Sequence, residues 1–271
     1  MIRFLILAGY FELTMYLQLS GKLNQYINLH YSYLAYISMF LSFVLALVQL
    51  IIWVKQMKIH SHLSGFWAKV ASIFLLCIPL FVGLFFPTVT LDSQTVSAKG
   101  YHFPVAAGSS KEIQQDEGTT TQYLKPDTSS YFTKSAYESE MKQAAKKYID
   151  KKVIQVTTEN YMEVMEVIYD YPDQFAGKTI ELTGFVYNDP SNKNSQFLFR
   201  FGIIHCIADS GVYGLLTTGA PQHFENNTWI HAKGTLSIEY HKQLKQSLPV
   251  LHISDCQTIT KPDNPYVYRV F

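Results

Sequence analysis

Two uncharged apolar runs constrain this chain more than any other feature. Tyr31 to Val54 spans 24 residues and Val70 to Leu91 spans 22, neither with a charged side chain. At a rise of about 1.5 Å per residue, each run is longer than the roughly 30 Å of hydrocarbon in a bilayer. Both are therefore expected to cross a membrane as helices. Pro79 lies inside the second run, where it should kink the helix and free a carbonyl. Tyr31, Tyr33, Trp53 and Trp67 sit at the edges, as interfacial aromatics do.

A third segment is less apolar. Between Arg3 and Lys22 lie 18 residues interrupted by Glu12. A carboxylate at the centre and no Ala-x-Ala site argue against a cleaved signal peptide. The segment reads as a short first span, with an interfacial or re-entrant helix as the alternative. The expected membrane domain is then 1–91, with spans at about 3–20, 31–54 and 70–91. Holding a carboxylate inside a span costs on the order of 2.5–3.5 kcal/mol unless it is paired or hydrated. Glu12 is thus a candidate contact for a partner or part of an ion path. The plainer reading is that it reaches an interface or pairs within the bundle.

Charge is divided unevenly. The whole chain has 22 Lys+Arg and 21 Asp+Glu, a net of +1, which provides no basic field for nucleic acid. Residues 1–86 hold only five of the basic residues and one acid, leaving 17 and 20, a net of −3, for 87–271. Lys55, Lys58 and Lys69, with His60 and His62, lie in the 55–69 loop, against Lys22 alone in 20–33. The excess of lysine places 55–69 in the cytoplasm. The expected protein is multi-pass in the cell membrane and in contact with its lipid, with a cytoplasmic N-terminus and an extracytoplasmic C-terminal domain.

Residues 92–130 have the composition of a flexible linker. The segment 131–271 reads as an α+β domain. It has helices over 133–152 and about 158–171, a short strand at VIQVT, and then five strands within 177–261. Five strands, a Gly202 expected to bulge or bend the second, and a long 219–227 connection point to a small closed barrel of OB-like type. The fold class is accordingly α+β, with about three transmembrane helices followed by an OB-like barrel.

The best cluster for chemistry is His205-Cys206-x-x-Asp209, whose imidazole, thiolate and carboxylate are all zinc ligands. The bland reading has Cys206 as a small core residue and Asp209 opening a turn. With Cys77 in an apolar run, Cys206 and Cys256 are the one pair that a bridge could join outside the membrane. Arg200, in the apolar strand FLFRFG, either pairs with Asp189 or Glu181 or offers a donor to a ligand or partner. The sequence has no Walker loop, Gly-x-Gly-x-x-Gly, Gly-x-Ser-x-Gly or His-Glu-x-x-His, so an enzyme is not expected.

GKTIELTGFVYND, FRFGIIHCIADSGVYGLL and the ending KPDNPYVY resemble the YcgQ-like permease-subunit family, and the resemblance covers nearly the whole chain. It implies an accessory subunit paired with a separate multi-span permease. It also places two adjacent cysteines where this chain has His205-Cys206, a departure that keeps a nitrogen-plus-sulfur pair and removes a vicinal dithiol. The alternative is a membrane-anchored module that binds or senses zinc outside the cell.

Overall fold

The computed structural model describes residues 1–57, 65–86, 89–100, 134–188, 196–241 and 246–269. His60, His62, Asp189 and the expected linker from 101 to 130 lie outside the described residues. The chain divides into two compact units, Met1–Thr90 and Leu91–Phe271.

In the first unit, α1 (Ile2–Leu19), α2 (Ser32–Val54) and α3 (Phe66–Phe85) are each long and apolar enough to cross a membrane. The chain is a membrane protein. Bilayer helices gain little by hiding apolar surface from lipid, so their contacts depend on shape and hydrogen bonds. Here α1 meets α2 through Phe11 and Phe43, with ring centroids 5.3 Å apart. It meets α3 through two glycines. A Cβ on Gly9 would lie 3.0 Å from a methyl of Leu80, and one on Gly83 would lie 2.8 Å from a methyl of Leu13. Pro79 has no N–H to give the helix, and Tyr10 of α1 donates its hydroxyl to the carbonyl of Leu76, 2.9 Å away, in the same stretch of α3.

The second unit begins with α4 (Ser93–Lys99) and α5 (Lys134–Ile149), followed by β1 (Val153–Gln155). Next come α6 (Tyr161–Asp170) and the single turn α7 (Pro172–Phe175), in which Pro172 ends one helix and starts the other. Six strands complete the domain: β2 (Thr179–Asn188), β3 (Gln196–Ile203), β4 (Gly211–Thr218), β5 (Trp229–His241), β6 (Gln246–Thr258) and β7 (Tyr266–Tyr268).

The strand order is β1-β2-β5-β6-β4-β3-β7, with β2 also pairing to β3. Pairings therefore pass β2–β3–β4–β6–β5 and return to β2. All are antiparallel except β4–β6. Two backbones approach closely where glycine permits it. A Cβ on Gly214 would sit 1.9 Å from the carbonyl oxygen of Leu198, and one on Gly234 would sit 2.3 Å from that of His252. The break in register falls at Lys233/Gly234, not at Gly202. Gly202 stays in regular pairing with Gly211. It is small because the Tyr213 ring fills the space, 2.5 Å from where its Cβ would be.

β3 is buried at every position, because both of its faces are covered. Leu198 joins a core formed with Leu215, Ile230, Leu251 and the inner faces of α5 and α6. Phe197, Phe199 and Phe201 face the other way, into an aromatic layer with Phe185, Tyr187 and Trp229. Val96 of α4 and Tyr266 of β7 belong to that layer. The third helix thus ends at Phe85, short of Leu91, and Leu91, expected to close that span, docks on the domain together with residues expected to begin the linker: the Leu91 N–H donates to the Tyr266 hydroxyl at 3.0 Å, and that of Ser93 to Asn227 at 2.8 Å.

Candidate functional site

The cluster singled out in the sequence lies just beyond β3. With the strand ending at Ile203, His205 and Cys206 escape the alternation that would send them to opposite faces. Cys206 starts a single 3₁₀ turn, Ile207–Asp209, and makes a reciprocal cap with it. One oxygen of the Asp209 carboxylate accepts from the N–H of Cys206 at 3.0 Å, and the other from that of His205 at 2.9 Å. The second oxygen also lies 2.9 Å from His205 Nδ1. All three residues thus meet, and the carboxylate is engaged with backbone donors. No group of three or more His, Cys, Asp or Glu side chains is placed to hold a metal ion among the described residues. Cys77, Cys206 and Cys256 are free thiols.

Arg200 is buried, and its guanidinium is surrounded by main-chain oxygens. Nε donates to the Pro265 carbonyl at 3.3 Å, and Nη2 to those of Asn264 and Tyr266 at 2.9 and 3.0 Å. Nη1 donates to the Thr158 hydroxyl at 3.0 Å. The rings of Tyr161 and Trp229 lie 5.7 and 5.8 Å away, within reach of a cation–π contact. Burial pulls its pKa down, while the nearby Tyr161, Tyr268 and Glu159 push it up. Arg200 therefore clasps the C-terminal segment. Of its two expected acidic partners, Glu181 instead pairs with Lys233 at 2.6 Å. Glu12 is exposed on α1 and makes no hydrogen bond or ion pair among the described residues.

Two further clusters were not singled out in the sequence. The ring of His252 lies 2.8 Å from Thr218 Oγ1 through Nδ1, and 2.8 and 2.6 Å from Ser237 Oγ and Glu239 Oε1 through Nε2. Strand alternation puts Ser237 and Glu239 on one face, but only the β5–β6 register brings His252 to them. Serine and carboxylate share one nitrogen, so the ring cannot relay a proton from one to the other as a nucleophile–base–acid set would. The other cluster is buried. Glu166 of α6 lies 3.6 Å from Arg269, and its carboxyl is pushed up to about 7. Burial is the main cause; Asp170, Glu140 and Glu163 add to it and Arg269 opposes it.

The sequence matches two family descriptions, the DUF1980 N-terminal domain over residues 2–102 and the DUF1980 C-terminal domain over 131–269. This chain belongs to the DUF1980 family. It is similar over its whole length to two relatives, each also covered from end to end. One, from Streptococcus mutans serotype c (strain ATCC 700610 / UA159), is 68% identical and bears the name "Putative two-component membrane permease complex subunit". The other, 40% identical, is the UPF0703 protein YcgQ of Bacillus subtilis (strain 168). The YcgQ-like resemblance of the sequence blocks thus extends to full-length relatives. The N-terminal DUF1980 match runs past the membrane helices to include α4.

Proposed function

We propose that this chain is the membrane-anchored accessory subunit of a two-component permease complex. The observation that carries this reading is end-to-end similarity, at 68% identity, to a protein named as a subunit of such a complex. The fold agrees with an accessory part. Three apolar helices form the membrane unit, and the larger unit is a sheet domain. In this reading the helices pack beside a multi-span permease. The sheet domain lies outside the cell near the pore mouth and serves assembly, gating or substrate presentation. Covalent attachment to the membrane unit would keep it there at roughly millimolar local concentration, enough to occupy a weak dock. The sheet domain is read as an OB-like barrel, supported by the cyclic pairing of β2, β3, β4, β6 and β5 and by the parallel β4–β6 pair.

The decisive experiment is purification of the tagged full-length chain in mild detergent, with mass spectrometry of what accompanies it. A multi-span protein in fixed stoichiometry is expected. Recovery of the chain alone, or only with itself, overturns the subunit reading. Orientation is tested separately in intact cells with S61C in a C77A/C206A/C256A background. An impermeant thiol reagent should leave this cysteine unlabelled until the cells are opened. Labelling of intact cells would reverse the proposed topology.

A further inference from the structure

We infer that the face of α1 bearing Glu12 is the docking surface for a partner's transmembrane helix that presents a lysine or arginine at the same depth. This inference rests on the subunit reading and names the contact through which the two chains join. α1 uses its other faces within its own unit. Phe11 packs on Phe43 of α2, while Gly9, Tyr10 and Leu13 meet α3. Among the exposed residues of α1, Leu5, Glu12, Tyr16 and Leu19 form a stripe. Their spacings of seven, four and three residues put them on one side of a helix.

Glu12 lies well inside the span. Seven residues follow it in α1, about 10 Å of helix, more than a carboxylate on two methylenes can cover by snorkelling. Among the described residues it has no partner within the chain. An ionisable group at this depth ordinarily pairs with another or faces a polar interior, and here it faces outward.

The sign of the missing partner follows from the charges of the spans. α2 has no charged residue, Lys69 lies in the first turn of α3, and Arg3 is at the start of α1; Lys22, just past α1, gives its ammonium to the Tyr16 hydroxyl and ring and makes no ion pair with Glu12. The membrane helices of this chain therefore supply no cation at the level of Glu12. A second copy docked through the same face would bring carboxylate against carboxylate, two like charges that repel. The complementary group must come from a different chain, and a basic side chain on an apolar helix fits both the charge and the flanking leucines. Such a pair, shielded from water, fixes register and partner choice.

The test uses the full-length complex purified in mild detergent, comparing wild type with E12Q, E12L and E12K. The membrane-fraction yield of each variant is measured to confirm insertion. Recovery of the multi-span partner is expected to fall at least about tenfold for E12L and E12K. E12Q, nearly isosteric and easily inserted, should also weaken recovery. Combining E12K with a Lys/Arg→Glu exchange in a partner span should restore it. A F40A variant on the exposed side of α2 should behave as wild type. If E12Q, E12L and E12K all insert and recover the partner fully, the Glu12 contact is overturned and the subunit reading stands. If wild type recovers no multi-span protein, the subunit reading fails and the contact fails with it. Loss of self-association in E12L, with the partner retained, would assign the face to a second copy and overturn the inference.

Discussion

R200M should lower the stability of the sheet domain by about 3 kcal/mol, the range expected when buried hydrogen-bonded partners of a charged group are left unmet. Methionine keeps most of the aliphatic volume, so the change removes the charge and its donors with little cavity. The carbonyls of Asn264, Pro265 and Tyr266 would then lose the guanidinium that satisfies them. These residues lead into or begin β7, which runs parallel to β3 through Phe201–Tyr266, Gly202–Val267 and Ile203–Tyr268. A three-residue strand makes few ladder bonds of its own, and the clasp is what keeps it in place. The melting temperature of the domain should fall by roughly 10 °C, given a few degrees per kcal/mol at this size. Limited proteolysis should cut first between 259 and 269. R200K should recover only part of the loss, since one ammonium cannot reach all the oxygens that the planar fork spans. A melting temperature unchanged in R200M would remove Arg200 from this role.

The sequence around Arg200 carries the cation but not its partners. Its place in FLFRFG marks a cation in an apolar strand, with a surface acid or a ligand as its expected partner. Three of its partners, however, are main-chain carbonyls more than sixty residues away, and the fourth is the Thr158 hydroxyl, none of which a side-chain charge pattern reveals. The elements themselves were more legible. Uncharged length marked α2 and the main part of α3. Alternation and turn residues marked β2 through β6, and Pro172 marked the end of α6.

Gly202 was expected to be a bulge because glycine inside a strand often is one. In the fold it gives way to the Tyr213 ring, a tertiary contact with no local signature. By composition the segment 92–99 reads as the start of the linker. Its docking depends on single groups, Val96 in the aromatic layer and Lys99 donating to the Ser210 carbonyl at 3.3 Å. For the 205–209 cluster the residue types suggested metal. The way Asp209 bonds to the main chain became visible only when β3 was seen to stop at Ile203. Glu166 was missed altogether, since one acid in the amphipathic helix YMEVMEVIYD looks like part of its polar side. Packing of α5 and β7 against α6 leaves Glu166 only 5% exposed.

That burial gives the second large effect, a loss of domain stability as pH rises from about 4.5 to about 7. In the unfolded chain the Glu166 carboxyl titrates near its ordinary 4.5, and in the fold near 7, so the folded state holds the proton more tightly. The stabilisation is fully present below the unfolded value. It declines through the window as the unfolded chain releases its proton first, and it is gone once the folded carboxyl has also ionised. With 1.36 kcal/mol per unit of pKa, the interval corresponds to roughly 3 kcal/mol. Arg269, at 3.6 Å, offsets part of the cost of the buried charge but is too distant for a good hydrogen bond. E166Q keeps the shape and cannot ionise. Its melting temperature should therefore vary less than that of wild type across this window and should exceed wild type at pH 8. Thermal unfolding of the detergent-solubilised chain at several pH values measures both quantities, and parallel profiles for the two proteins would contradict the assignment. On the outer side of the membrane proposed for this domain, Glu166 experiences the pH of the medium. Acidification would then stabilise the packing of α6 against β7, the strand whose start Arg200 also holds.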